Sequence, residues 1–231
     1  MPRPRVRLSR SNRIAEIMAA AREAITEANG REIAMSEIAE RIGVVEGAIY
    51  RLFPTKHQLM IAVMCDWYQE IMLNYETGLA EVSGVRERLR FVSHHHIRCV
   101  YSFPEMVTQF FSSIRMSADY RSSELFRLNR RYASQVIRIL EDGVRSGELR
   151  PDRSPRRGRD MLFGFVEQAT WEYRMGLGDL DPEALADEVT DLIYDAFVHR
   201  PAPAAMDDAA LRRQLLEMSE TLRALAEGND A

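Results

Sequence analysis

Apolar positions recur along most of this chain at spacings of three and four, the period of one helix face, and strict apolar–polar alternation is nearly absent. From about Asn12 the set Ile14, Ile17, Met18, Ala21 and Ile25 predicts a first helix that stops near Asn29-Gly30. Short helices over about 35–42 and 46–52 follow, separated by Gly43 and closed by Pro54. A long helix begins near Thr55 and runs to about Thr77, with Leu59, Val63, Trp67, Ile71 and Tyr75 on one stripe. Further helices are expected over roughly 84–101, 104–117, 122–147, 155–175 and 182–198. The run Asp181-Pro182-Glu183 opens the last of these with a capping carboxylate, a proline suited to the first helical position and an acid at the positive end of the dipole. Residues 200–205 read as a linker, and a helix over about 207–226 carries Leu211, Leu215, Met218, Leu222 and Leu225 as a short heptad seam. The expected fold is all-α, a small N-terminal three-helix bundle joined to a larger helical body. The boundaries are 1–9 for a basic arm, 10–70 for the bundle, 71–199 for the body and 200–231 for the linker with its amphipathic helix.

Composition adds a direction. The chain is 46% hydrophobic and 29% charged, ordinary for a globular protein. The net charge of -4 is unevenly placed: residues 1–56 hold ten Arg and Lys against seven Glu, and residues 57–231 hold 21 basic against 28 acidic side chains. A basic end on an acidic body points to a local contact with a polyanion. Lys56 is the one lysine among 31 basic residues, a bias that lowers the meaning of any single arginine. Cys65 and Cys99 match neither a disulfide framework nor a metal motif, so free thiols are expected. His94, His95 and His96 sit about 100° apart around a helix and cannot converge on one ion. One of them can line a cavity; solvated or packed roles are the alternative. Neither metal nor cofactor is expected. The basic N-terminus lacks the apolar core of a secretion signal and no membrane-length apolar run occurs, so cytoplasmic residence away from membranes is the expectation.

The chemistry concentrates in 38-IAERIGVVEGAIYRLFPTKHQLM-60. Over about 34–53 this has the layout of a helix-turn-helix. Ala39 is small where two helices approach, and Gly43 sits where the chain must leave a helix with a left-handed backbone. Ile42, Val44, Ile49 and Leu52 or Phe53 can form the contact between the helices, which leaves Val45, Glu46, Gly47, Tyr50 and Arg51 facing outward. In such a unit the second helix enters the DNA major groove.

These residues resemble the TetR/AcrR family of bacterial repressors. The family pattern is a helix with Ile-Ala, then Gly-Val, a Gly or Ala, a Tyr, a Phe, a Ser or Thr, a Lys and a Leu at fixed spacing. Ile38, Ala39, Gly43, Val44, Gly47, Ala48, Ile49, Tyr50, Phe53, Thr55, Lys56 and Leu59 fit it, within about residues 10–70. The resemblance implies a homodimer on a palindromic double-stranded operator, released by a small-molecule effector. It implies that Tyr50 and Lys56 bind phosphates, that Gly47 lets the recognition helix approach the bases, and that Ser36 touches the DNA backbone. Val45 and Ala34 depart from the pattern, since the family usually has a hydroxyl cap at each position. Glu46 also departs: it can accept from a cytosine amine, or lie along the groove edge and weaken nonspecific binding. The arm 3-RPRVRLSR-10, with Arg5 and Arg7, can enter the minor groove or serve as a solubilising tail.

In the body, aromatic and methionine residues crowd two stretches. Tyr101, Phe103, Met106, Phe110, Phe111, Phe165 and Trp171 are the candidate lining of an effector pocket, with plain core packing as the alternative. The segment 161–175 is apolar on most of its circumference, so Phe163, Val166 and Thr170, together with Val189, Leu192, Ile193 and Phe197, are the candidate dimer interface. The helix 207–226 is expected to pack on its own body or to reinforce the dimer. No phosphate loop, nucleophile elbow or zincin motif is present, so no enzyme is expected. The rival reading is a helical scaffold that uses its helix-turn-helix for protein contacts; a steep fall of DNA affinity with salt separates the two.

Overall fold

The computed structural model describes residues 9–28, 31–199 and 212–219. The chain divides into two units, Met1–Val198 and His199–Ala231. In the second unit residues 212–219 form a helix. The linker 200–205, Arg5, Arg7, the stop at Asn29-Gly30 and the remainder of the expected 207–226 helix lie outside the described residues.

The first unit holds ten α-helices among its described residues: α1 (Arg10–Ala28), α2 (Met35–Arg41), α3 (Glu46–Tyr50), α4 (Lys56–Ala80), α5 (Val85–Ser102), α6 (Pro104–Gln109), α7 (Glu124–Ser146), α8 (Pro155–Ala169), α9 (Trp171–Arg174) and α10 (Pro182–Phe197). No strand longer than the single Leu149–Val198 bridge occurs among them. α1 turns Ala20, Ala21 and Ala24 inward beside Ile17 and Ile25, and these small side chains let α4 lie close. α4 is capped by Thr55, whose hydroxyl accepts the Gln58 N–H at 3.1 Å. Its first half buries Leu59, Met60 and Val63, and its second half buries Trp67, Tyr68, Met72 and Tyr75. It runs unbroken through position 70, so the N-terminal bundle and the body share one helix. In the body α10 lies along α5, and α7 packs on α4, α5 and α8.

Two long helices of the sequence reading are interrupted. The expected helix 104–117 is α-helical only to Gln109; Phe110–Ile114 then form a π turn, in which the Arg115 N–H reaches back to the Phe110 carbonyl at 2.8 Å. The expected helix 155–175 breaks at Thr170. There the hydroxyl donates to the Val166 carbonyl at 2.7 Å, a back-bond that bends helices, and the short α9 ends before Gly176 at φ 69°.

Close approach fixes one glycine. A Cβ on Gly158 would stand 2.4 Å from Leu140 Cδ1 and 2.9 Å from Phe197 Cζ, where α7, α8 and α10 meet. Both neighbours are buried and cannot swing away. Gly158→Ala is expected to lower the unfolding free energy by about 1–3 kcal/mol, the usual cost of overpacking. Urea titration of both proteins checks this, and equal midpoints would contradict the packing described.

Candidate DNA interface and ligand cavity

α2 and α3 make the predicted helix-turn-helix. Gly43 adopts φ 64° after α2, a backbone that only glycine takes at little cost. The Val44 N–H then bonds to the Ala39 carbonyl at 2.9 Å and closes the turn. Ile38, Ala39, Ile49 and Phe53 are buried against α1 and α4. Ser36, Val45, Glu46, Gly47, Tyr50 and Arg51 are all solvent-facing, with Val45 72% and Tyr50 41% exposed. Neither Ala34 nor Val45 offers a capping side chain. At Ala34 the loss is offset from the other side: Glu37 Oε1 accepts the Ala34 N–H at 3.1 Å, and Arg31 grips the same carboxylate at 2.9 and 2.8 Å. The Arg31 guanidinium first, and the Ala34 N–H after it, hold Glu37 down at about 2.

Lys56 does not stand free. Its ammonium meets Glu32 Oε1 at 2.7 Å, and this bond holds the Glu32 carboxyl below its ordinary range. One position along, His57 Nε2 meets Asp119 Oδ1 at 2.9 Å. The start of α4 is thereby tied to the turn between the π segment and α7. A second tie joins Arg22 of α1 to Glu70 of α4 at 2.7 Å, with the guanidinium 5.8 Å from the Phe103 ring centre.

That turn is part of a cavity of about 1150 Å³ inside the body, at the upper end of ligand sites generally. Trp67 and Tyr68 of α4, His96 of α5, Phe110 and Phe111 of the π turn, Tyr132 of α7 and Phe163 of α8 form its wall. Arg115, Arg121, Arg130, Arg131, Arg138 and Arg159 also line it, against only Asp160 and Glu167. All of these arginines except the half-buried Arg159 are exposed, which makes a cationic rim on an aromatic chamber. Arg121, Arg130 and Arg138 enter no ion pair among the described residues.

The pocket residues expected from sequence divide. Phe110 and Phe111 reach the cavity. Met106 is core, 1% exposed, and Phe103 packs edge-on to Trp67 with centroids 6.0 Å apart. Tyr101 stacks on Tyr173 at the surface, Trp171 is exposed, and Phe165 packs on the core outside the cavity wall. The expected dimer face also changes. Val166, Thr170, Val189, Ile193 and Phe197 are buried within the single chain, because α8 and α10 close on α5 and α7; Phe163 lines the cavity; Leu192 remains exposed. Sequence reasoning missed Trp67, Tyr68, His96 and Tyr132 as cavity wall and passed over the arginines. Trp67, Tyr68 and Tyr132 are polar-edged aromatics at inward helical positions, which periodicity reads as core. Among the described residues no three His, Cys, Asp or Glu side chains converge on a metal position, and no helix is long and apolar enough to cross a membrane.

Residues 17–63 match the family described as "Bacterial regulatory proteins, tetR family", and residues 83–197 match "Tetracyclin repressor-like, C-terminal domain". The chain belongs to the TetR family. It is a DNA-binding transcriptional regulator. Among curated TetR-type relatives it is similar to the fatty acid metabolism regulator protein of Bacillus subtilis (strain 168), at 24% identity over 178 residues, 77% of this chain and 92% of that protein. The crystal structure of the regulator FadR from Bacillus subtilis in complex with stearoyl-CoA has the same fold, with a TM-score of 0.69 at 24% identity, covering 80% of this chain and 99% of that one. The structure of AibR in complex with isovaleryl coenzyme A and operator DNA matches with a TM-score of 0.62 at 20% identity, over 79% and 98% of the two chains.

Burial lowers His95 to about 4 and His96 to about 3, from 6.5. Both stay neutral in the folded chain while the unfolded chain takes up protons below pH 6.5. Stability is therefore level above that pH and falls as the pH drops from 6.5 toward 4, with an uptake on unfolding that approaches two protons. Glu37 adds a loss in the same direction below 4.5. Urea midpoints across pH 4 to 8 test this, and His96→Phe should reduce the proton uptake by about one.

Proposed function

We propose that this chain acts in the cytoplasm as a homodimeric repressor that leaves its operator when a coenzyme A thioester enters the body cavity. The cavity itself carries the reading. An acyl chain fits the aromatic wall, and the phosphates of a coenzyme A moiety fit the arginine rim. Two neighbours in fold were solved with such thioesters, stearoyl-CoA in one and isovaleryl coenzyme A in the other.

The head supplies the operator contacts. Tyr50 and Lys56 bind phosphates on either side of the groove, Ser36 adds a backbone contact, and Gly47 lets α3 approach. Gly47 has nothing within 4 Å of a notional Cβ, so the space beside it is open to DNA. Val45, Glu46 and Arg51 face the base edges, and the arm with Arg5 and Arg7 adds phosphate or minor-groove contacts. Met161 of α8 and Leu192 of α10, both exposed, belong to the surface that joins two copies. Ligand filling the chamber displaces the segment that carries Arg115 and Asp119; through the Asp119–His57 bond the start of α4 follows, and the spacing of two recognition helices changes.

Fluorescence anisotropy with operator DNA recovered by binding-site selection tests the scheme. Stearoyl-CoA should release the DNA; a complex that survives saturating stearoyl-CoA, with no binding of the thioester to the free protein, would sink it. Paired reversal of Arg121 and Arg138 to Glu should weaken the thioester by about tenfold or more and leave operator affinity in place. In the head, Lys56→Gln should flatten the salt dependence by about 0.9 per lost phosphate contact. Glu32→Gln, which frees Lys56 from its internal partner, should tighten operator binding roughly twofold.

A further inference from the structure

Two chains of hydrogen bonds end in the cavity wall, and counting their protons shows what each end lacks. Tyr68 donates its hydroxyl to Asn129 Oδ1 at 3.2 Å, and Asn129 Nδ2 donates to the Tyr120 oxygen at 2.8 Å. The Tyr120 oxygen is then an acceptor, and its own proton has no acceptor among the described residues. One helical turn along α7, the Tyr132 hydroxyl lies 3.1 Å from His95 Nδ1 and 3.4 Å from His96 Nδ1. It has one proton to share between two neutral rings, so one ring must donate to it. The Ile71 carbonyl holds a proton on His95, whose Nδ1 therefore accepts from Tyr132. His96 then carries its proton on Nδ1, donates to the Tyr132 oxygen, and keeps Nε2 as a bare acceptor. No group among the described residues bonds to that nitrogen, and His96 is a wall residue with part of its ring uncovered. Tyr120, Asn129, Tyr132 and His96 all border the same space.

A hydrocarbon chain laid over this wall leaves a proton of Tyr120 and a lone pair of His96 unpaired, which a site pays for in lost affinity. A hydroxyl supplies both an acceptor and a donor. We propose that the effector is a thioester whose acyl chain carries a hydroxyl group, seated between Tyr120 and His96. The inference rests on the reading that coenzyme A thioesters enter this cavity, and it names the member of that class the wall selects.

The test titrates the full-length protein, by the fluorescence of its buried Trp67, with palmitoyl-CoA and with hydroxyhexadecanoyl-CoA isomers whose hydroxyl is moved along the chain. One isomer is expected to bind at least tenfold more tightly than palmitoyl-CoA. In His96→Phe and in the more conservative Tyr120→Phe the ratio should fall toward one, while thermal melting shows that each variant is folded. Should palmitoyl-CoA bind as tightly as every hydroxylated isomer, the hydroxyl site is refuted and the thioester reading stands. Should no thioester of either kind bind, both fail together. A preference that survives both substitutions also overturns the assignment of Tyr120 and His96.

Discussion

α4 is covered twice, by different partners, along one unbroken length. Its first turns are packed by α1 and the helix-turn-helix, and its later turns by α5 and α7. Trp67, Tyr68, Met72 and Tyr75 are nearly inaccessible on the body side. Burying each such side chain contributes roughly 1.5–3 kcal/mol, so stripping all of them would cost about what a whole domain has in hand. The helix can tilt or slide as a rigid piece; it does not melt or detach. A signal raised in the cavity therefore reaches the DNA-reading end by movement of a solid rod. The exposed His57–Asp119 bond contributes little stability of its own, but it fixes where the rod is gripped.

The helical elements and the helix-turn-helix were legible in the sequence, because they rest on local signals: the 3.6-residue period, the stop at Gly43, the cap at Thr55 and the pairing of Tyr50 with Lys56. What was not legible depends on which side of a buried helix meets empty space. Phe103 and Phe110 look alike in a helical pattern, yet one packs against Trp67 and the other borders the cavity. Phe163 and Val166 share one short helix, and only Phe163 reaches the chamber. Dimer residues were misassigned for the same reason. The apolar faces of α8 and α10 are consumed by α5 and α7, so apolarity alone does not say whose core a residue joins.

The arginines show a second kind of blindness. In a chain where nearly every cation is Arg, no single one stands out, and the rim emerges only when side chains from the π segment, α7 and α8 are brought to one opening. The departures at Ala34 and Val45 also had different outcomes. Glu37, clamped by Arg31, replaces the missing cap at the first. At Val45 no substitute forms, and α3 is only five residues long, so DNA itself completes the start of the recognition helix.

The π turn at Phe110–Ile114 holds one residue more than an α-helix needs. Loss of a residue there would let the ladder close in the regular way without cutting any connection on either side. Everything downstream in the segment would then rotate by about 100°, turning Arg115 off the opening and changing which side chain floors the chamber. The same spot tolerates growth as readily as loss. Ligand preference in this scaffold is thus open to change through length at a single point, while the reading head, whose contacts lie on other helices, keeps its operator.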